Sequence, residues 1–168
     1  MRLLIIRHAI AEDREEWAKS GKPDGERPLT AKGMKRMQAA AGGLSRLVET
    51  PETIGTSPLV RAAQTAEIVA EVLGDVKVKP VEALSPSADF ADLVAWLRSL
   101  KTNGTVAVVG HEPHLSGLAC YLLTGRRESF LELKKGAACL IQLSEPPTPG
   151  VARLLWSLSP GQLRSIAD

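Results

Sequence analysis

The chain has 168 residues, of which 44% are hydrophobic and 24% charged, values typical of one compact globular domain over residues 1–168. Its 21 Lys and Arg residues nearly balance its 19 Asp and Glu residues, and aromatic residues make up only 4%. Both facts argue against a nucleic-acid binder. No segment approaches the roughly 20 apolar residues that cross a membrane, and the apolar run after Met1 is too short for a signal peptide. We therefore expect a cytoplasmic protein with no membrane partner.

Two cysteines, Cys120 and Cys139, are too few for a disulfide framework. The first lies in a predicted helix and the second in a predicted strand. We expect both to be buried free thiols in a reducing compartment.

The N-terminal part predicts a buried strand, a long polar loop and an amphipathic helix. Residues 3–6 are a short apolar run, typical of a strand buried on both faces. Residues 9–29 are polar, and so long a loop in a compact domain is usually functional or mobile. Thr30 is a typical helix N-cap, and Gly42-Gly43 inside that helix indicates close packing or a kink rather than a phosphate-binding loop. The predicted buried face consists of Met34, Met37, Ala41, Leu44 and Leu47.

The middle of the chain continues the alternation of strands and helices. A short strand is predicted at residues 53–56, and Ser57-Pro58 then indicates a helix start with Pro at the first helical position. Gly74 ends that helix. Residues 76–81 alternate with lysines, which is typical of a half-exposed strand. The next helix is marked by Phe90, Leu93, Val94, Leu97 and Leu100.

The last part of the chain changes character. A second fully apolar strand at residues 105–109 is followed by a helix from about Pro113. Strands at 138–143 and 151–158, joined by a Pro-rich and Gly-containing segment, predict an antiparallel hairpin. The alternation before them predicts an α/β fold, a three-layer α/β/α sandwich with a mostly parallel sheet. The C-terminal hairpin would add antiparallel strands at one edge.

Two histidines and two arginines stand at the ends of these elements. His8 ends the first apolar strand and His111 ends the strand at 105–109. Ligands of open α/β sheets bind at the carboxyl ends of strands, so these side chains should converge. Arg7 precedes His8, and Arg61 lies in the first turn of a helix, whose N-terminus favours anions. One such residue alone is usually solvated or structural, but the four together predict a phosphate site.

Four motifs, in this order, resemble those of the histidine phosphatase superfamily. Arg7-His8-Ala9 is similar to the family's Arg-His-Gly signature, with Ala in place of Gly, and Leu29-Thr30-x-x-Gly33 is similar to its next motif. The third and fourth are Ser57-Pro58-Leu59-x-Arg61-Ala62-x-Gln64-Thr65-Ala66 and Val109-Gly110-His111-Glu112-Pro113. The resemblance covers residues 1–115. Within the family, the chain most resembles the SixA-like phosphohistidine phosphatases. The features that carry this resemblance are its short length, the Arg-His-Ala sequence and Arg27-Pro28-Leu29-Thr30.

The resemblance implies a phosphoglycerate-mutase-like fold and an intermediate in which His8 carries the phosphoryl group. Only neutral imidazole attacks phosphorus well, and neighbouring Arg charges disfavour a second cation, so His8 should stay unprotonated. Arg7 and Arg61 can hold phosphoryl oxygens with paired N–H groups and stabilise charge in the transition state. His111 should donate a hydrogen bond to the phosphoryl group. Arg27 is a fifth candidate contact that is equally well interpreted as a solvated loop residue.

Two other interpretations of charged and metal-binding residues are weaker. His111 and His114 with His8 have the residue types of a zinc site. However, His114 falls inside the first turn of its helix, so we expect it to pack or cap locally, and we expect no metal and no other cofactor. Arg126-Arg127 and Lys134-Lys135 are interpreted as exposed loop charges rather than a docking patch for an acidic protein.

A carboxylate missing from the family pattern bears on the substrate. Phosphomonoester members of the family place a Glu after the third strand to protonate the leaving alkoxide, whereas the matching stretch here reads Leu84-Ser85-Pro86. An alkoxide leaves poorly without an acid, but an imidazole leaving group can carry its own proton near neutral pH. We therefore expect a phosphatase of protein phosphohistidine, with a histidine-containing phosphotransfer domain as a possible partner. The alternatives are a small-molecule phosphomonoesterase with Glu82 or Asp89 as its acid, and a non-catalytic phospho-ligand binding module.

Overall fold

A six-stranded mixed sheet forms the centre of the molecule, in a computed structural model that describes residues 1–167. The strands in chain order are β1 (Arg2–Arg7), β2 (Thr53–Thr56), β3 (Val78–Pro80), β4 (Thr105–Gly110), β5 (Ala138–Gln142) and β6 (Arg153–Leu158). They lie side by side in the order β3-β2-β4-β1-β5-β6. The pairs among β1 to β4 are parallel, whereas β5 and β6 are antiparallel. The predicted mostly parallel sheet with a C-terminal antiparallel hairpin is confirmed.

Helices cover both faces of this sheet. These helices are α2 (Ala31–Ser45), α3 (Val60–Val72), α4 (Phe90–Ser99), α5 (His114–Thr124) and α6 (Pro160–Ala167), whereas α1 (Arg14–Lys19) has no buried residue. Side chains of β1 alternate between two cores: Leu4 and Ile6 pack with α2, α3 and α6, whereas Leu3 and Ile5 pack with α4 and α5. Because both faces of the strand are buried, the apolar run of residues 3–6 has no polar alternation. The three-layer prediction is therefore also confirmed.

The buried face of α2 differs from the predicted one at both ends. Met34 and Leu47 are exposed, whereas Met37, Ala41 and Leu44 are buried as predicted. Glycines take part in the buried face instead. A Cβ atom on Gly33 would lie 2.0 Å from the carbonyl oxygen of Ile10, and one on Gly43 would lie 1.9 Å from that of Leu163. The close packing expected at Gly42-Gly43 is thus found at Gly43, where the backbone of α6 contacts α2.

The predicted start of α3 at Ser57-Pro58 is wrong by two residues. The helix begins at Val60, with Leu59 as its N-cap. Ser57 still belongs to the sheet edge, since its N–H donates to the carbonyl of Val109 at 3.0 Å. Its hydroxyl accepts from the N–H of Leu59 at 3.3 Å, which resembles a cap but precedes the helix.

Two helices were not predicted. The polar segment 9–29 contains α1, whose N-cap Asp13 accepts from the N–H groups of Glu15 and Glu16, and a short 3-10 turn at Asp24–Glu26. The second is α6, which packs on α2. Cys120 and Cys139 are buried and free, as predicted. Within residues 1–167, no helix has the length and apolar character needed to span a membrane.

The contact at Gly43 leads to a stability prediction. Gly43→Ala places a methyl group against the backbone of α6, so the free energy of unfolding should fall by about 1–3 kcal/mol, the usual cost of overpacking. Gly42→Ala is the matched control, because its Cβ would have Ala167 Cβ as neighbour at 3.4 Å, an ordinary contact. Urea denaturation measures both. Equal stabilities of the two variants would contradict the packing described here.

Candidate active site

Three strand ends meet at one edge of the sheet because of their register. Arg7 of β1 pairs with Gly110 of β4, and Thr56 of β2 pairs with Val109. The N–H of His8 donates to the carbonyl of Gly110 at 3.0 Å, which prolongs this pairing by one residue. The residues that follow the three strands therefore leave the sheet at the same place, as expected for a ligand site in an α/β fold.

All five residues predicted for the site line one pocket of about 540 Å³. These residues are Arg7, His8, Arg27, Arg61 and His111. The rings of the two histidines lie 5.1 Å apart between centroids. Each of the five side chains is buried or half-buried, so their charges and hydrogen bonds act in a partly dehydrated space, where electrostatic interactions are stronger than in water.

The imidazole of His8 is held in one tautomer. Its Nδ1 lies 2.7 Å from the carbonyl oxygen of Ala9, and a carbonyl can only accept, so Nδ1 carries the proton. In the neutral ring, Nε2 then keeps its lone pair. The N–H of Ala9 donates to the hydroxyl of Thr65 at 3.0 Å, and this hydroxyl donates to the carbonyl of Arg61 at 2.7 Å. The backbone that orients His8 is thereby tied to α3.

Both histidines are kept neutral at physiological pH. Burial lowers the pKa of His8 to about 4, assisted by the charges of Arg61 and Arg7 and opposed by the hydrogen bond to Ala9. Burial also lowers the pKa of His111 to about 3, with smaller contributions from His8 and Arg61. The sequence pointed to the arginines as the cause, whereas dehydration by the surrounding protein is the larger one.

Arg7 at the end of β1 and Arg61 in the first turn of α3 each keep one buried donor unpaired within residues 1–167. Arg7 donates from Nη1 to the carbonyl of Leu133 at 2.7 Å, and Arg61 donates from Nη1 to the carbonyl of Asp24 at 2.9 Å. The Nε of each is buried and has no hydrogen-bond partner within residues 1–167. Buried N–H groups are almost always bonded in folded proteins. Two such donors on cationic side chains that line one pocket are suited to the oxygens of an anion.

Asp24 holds two of the arginines and was missed from the sequence. Its carboxylate lies 3.1 Å from Nη2 of Arg61 and accepts from Nε of Arg27 at 2.9 Å. Arg27 also donates to the carbonyl of Glu12 at 2.7 Å, so it is not a solvated loop residue. Burial raises the pKa of Asp24, but the hydrogen bond from Arg27 and the charges of Arg61, Arg27 and Arg14 outweigh it and keep that pKa below its ordinary value.

Glu112 is a second residue of the pocket to which the sequence analysis gave no role. One carboxylate oxygen accepts from the hydroxyl of Ser116 at 2.5 Å, while the other is buried without a partner within residues 1–167. Burial raises the pKa of this carboxyl group, and the charge of Arg7 opposes the rise. Its position directly after His111 is the feature of the sequence that could have indicated a place in the pocket.

Other candidates lie outside the pocket lining. His114 places its Nε2 3.1 Å from the carbonyl of Ala88 and packs its ring on Phe90, the local packing that was predicted. Asp89 caps α4 and pairs with Arg127 at 3.0 Å. Glu82 is exposed in a 3-10 turn. Within the described residues, no three His, Cys, Asp or Glu side chains are grouped as metal ligands would be.

Comparison with known proteins agrees with this geometry. Residues 3–86 match the family described as the histidine phosphatase superfamily (branch 1). Over 137 residues, 80% of this chain and 81% of the other, the sequence is 37% identical to an uncharacterised protein of Picosynechococcus sp.. It is 27% identical to the phosphohistidine phosphatase SixA of Escherichia coli, over 98% of this chain and 97% of that one. A solved structure of the protein histidine phosphatase SixA complexed with tungstate superposes with a TM-score of 0.81 at 28% identity, covering 97% of this chain and 99% of the other.

The burial of the two histidines leads to a titration prediction. In the folded protein, the NMR signals of His8 and His111 should remain those of neutral imidazole down to about pH 5, because their pKa values of about 4 and about 3 lie below the ordinary value near 6.5. As the pH falls, these two histidines therefore bind protons in the unfolded chain at a higher pH than in the folded protein. Stability should therefore be complete above about pH 6.5 and decline towards pH 4.

The control for this titration is the same protein in urea, where each histidine should titrate near its ordinary pKa. A midpoint near that ordinary value for either ring in the folded protein would contradict the burial described here. Urea denaturation at a series of pH values tests the sign of the stability change.

Proposed function

Because the chain belongs to the histidine phosphatase superfamily, we propose that it hydrolyses phosphohistidine in a protein substrate, without a metal ion, through a phospho-His8 intermediate. Phosphatase activity agrees with its family and with its similarity to SixA; the substrate and the intermediate are the proposal. The single observation that carries it is the neutral His8 ring, whose Nδ1 is bound to the carbonyl of Ala9. This leaves Nε2 as a nucleophile beside two arginines.

The first half of the proposed reaction transfers the phosphoryl group to the enzyme. Nε2 of His8 attacks phosphorus, and the bond between phosphorus and the substrate imidazole breaks in line with the attack. Arg7 and Arg61 donate to the phosphoryl oxygens as charge spreads over them. Arg27 is a further contact, and His111 donates a hydrogen bond. The leaving imidazole already carries a proton on its other ring nitrogen, so it departs as a neutral ring when the P–N bond breaks and no general acid is required.

The second half returns the enzyme to its starting state. Water attacks the phosphorus of phospho-His8, the P–N bond breaks and inorganic phosphate is released. His8 is regenerated as the neutral ring with its proton on Nδ1, because Nδ1 keeps donating this proton to the carbonyl oxygen of Ala9. No atom outside the substrate, water and His8 changes bonding partners, which agrees with a reaction that needs no metal.

The positions of Glu82 and Asp89 bear on the substrate class. Neither Glu82 nor Asp89 lines the pocket, so the two acids considered for a phosphomonoesterase are both misplaced for that role. A phosphohistidine substrate needs neither. We propose a phosphorylated protein as partner, with a histidine-containing phosphotransfer domain as one candidate. We also propose a cytoplasmic location, since both cysteines are free and such thiols persist in a reducing compartment.

One observation favours a second function, a small-molecule phosphomonoesterase. Glu112 lies in the pocket, and burial raises the pKa of its carboxyl group. A carboxyl group with a raised pKa is a suitable proton donor for an alkoxide leaving group. In that case Glu112, rather than Glu82 or Asp89, would be the acid.

The intermediate is tested by incubation with a small phosphoryl donor such as phosphoramidate. Wild-type protein should acquire acid-labile, alkali-stable phosphate, and His8→Ala should lose both this label and turnover, because no other group can form the intermediate. His111→Ala should lower turnover by ~10²–10³, the usual effect of removing an electrostatic donor. His114→Ala is the matched control and should keep full activity, since His114 does not line the pocket. Robust turnover by His8→Ala would falsify the mechanism, and phosphate binding without label or turnover would indicate a binding module.

The substrate class is tested with Glu112→Gln on two substrates. Turnover of a phosphohistidine protein should be nearly unchanged, and wild-type kcat/KM on it should exceed that on sugar phosphates at pH 7. If the protein is instead a phosphomonoesterase, sugar phosphates will be turned over as well or better. Glu112→Gln will then lower that rate by ~10²–10⁴, the usual contribution of a general acid. Glu82→Gln and Asp89→Asn are controls that should have no effect on either substrate.

A further inference from the structure

A second groove opens directly beside the pocket. We call it the basic groove: its walls carry Arg36, Lys135 and Arg164, and its apolar floor is formed by Met37, Ala40 and Pro160. Ile10 and Lys135 line both the groove and the pocket, so the two are adjacent. The volume of the groove is about 90 Å³, which admits side chains of a bound segment but not a folded element.

The backbone segments that carry the cations of the basic groove are held in fixed places relative to His8. The N–H of Gly136, next to Lys135, lies 3.2 Å from the carbonyl oxygens of both Arg7 and His8. On α2, Gly33 lies against the carbonyl of Ile10, one turn before Arg36. Further along α2, the contact of Gly43 with the backbone of Leu163 fixes α6, which carries Arg164. The groove is therefore a built surface rather than a set of unrelated loop charges.

Within the described residues 1–167, no carboxylate neutralises the charges of the basic groove. Among residues 1–167, no carboxylate forms an ion pair with Arg36, Lys135 or Arg164, and no acidic residue lines the groove. The pocket itself is different, since Asp24 pairs with Arg61 and Arg27. An acidic chain is thus attracted to the basic groove.

We propose that the basic groove binds an acidic segment of the phosphoprotein substrate, next to the phosphorylated histidine. The inference rests on the proposed function and adds the chemistry of the partner. A histidine whose phosphoryl group contacts His8 brings its neighbouring residues to the mouth of the pocket, where Ile10 and Lys135 lead into the groove. Carboxylates of those residues pair with the three cations. Lys135, interpreted from the sequence as an exposed loop charge, therefore belongs to a docking surface.

The test uses three substrates that share the same reacting group. Two are synthetic phosphohistidine peptides of identical length, one with Asp and Glu around the histidine and one with Asn and Gln in their places. The third is phosphoimidazole, which has no flanking residues. Wild-type protein should favour the acidic peptide by roughly tenfold in kcat/KM, mainly through KM, and this preference should shrink as salt screens the charges.

The variants reverse charges that lie outside the catalytic machinery. Arg36→Glu and Arg164→Glu should each reduce kcat/KM on the acidic peptide roughly three- to tenfold and leave phosphoimidazole unchanged. Arg46→Glu is the matched control, because Arg46 is an exposed residue at the other end of α2, and it should change nothing. Because Arg164 is half-buried, the carboxylate of Arg164→Glu could disturb folding. Arg164→Gln introduces no charge and should lower kcat/KM on the acidic peptide by a smaller factor.

The outcomes separate this inference from the proposed function. If phosphoimidazole and both peptides are hydrolysed without preference, the docking surface is wrong and the phosphatase mechanism stands. If the variants also lose phosphoimidazole turnover, the cations act on the pocket chemistry, and docking is again wrong. If none of the three is hydrolysed, the proposed function fails. Calorimetric binding of the unphosphorylated acidic peptide, compared between wild type and Arg36→Glu, then decides the docking surface by itself.

Discussion

Backbone hydrogen bonds between β1 and β4 hold Arg7 opposite Gly110, and the arrangement of the pocket depends on that register. A slip by one residue would turn each side chain of β1 to the other face of the sheet. His8 and His111 would then no longer face each other at 5.1 Å. The same pairing buries both faces of β1, so the strand that positions His8, the proposed nucleophile, is also the centre of both hydrophobic cores. Stability and reactivity are therefore established by one set of interactions.

The pocket combines buried cations with neutral imidazoles, and each depends on the other. Dehydration makes a protonated histidine costly, and the nearby arginines raise that cost. The arginines remain tolerable inside the protein because carbonyls of Leu133, Asp24 and Glu12 accept from them. The result is a site with a strong positive field and an unprotonated ring, which is the combination that phosphoryl transfer to histidine requires.

The sequence predicted the sheet and the five site residues because both leave local signals. Apolar runs of buried strands are visible in residues 3–6 and 105–109, and Arg7-His8 and Gly110-His111 directly follow them. Asp24 leaves no such signal, because its ion pair is with Arg61, 37 positions away in the chain. The two residues meet only because the polar segment 9–29 folds back over the pocket. Gly33 was missed as part of the buried face because periodicity reports large apolar side chains, whereas this residue acts by having none. The pKa of Glu112 depends on burial, which no motif describes.

Asp24 gives the pocket a built-in counterion, and this bears on how the reaction cycle ends. Inorganic phosphate offers the same kind of oxygens as the phosphoryl group that preceded it. Arginines with no counterion would hold the product as firmly as the substrate. Since Asp24 shares the charge of Arg61 and Arg27, the attraction of the pocket for any phosphate is moderated. In the proposed reaction, the carboxylate would thereby work against inhibition by the product and help the site to empty between one substrate and the next.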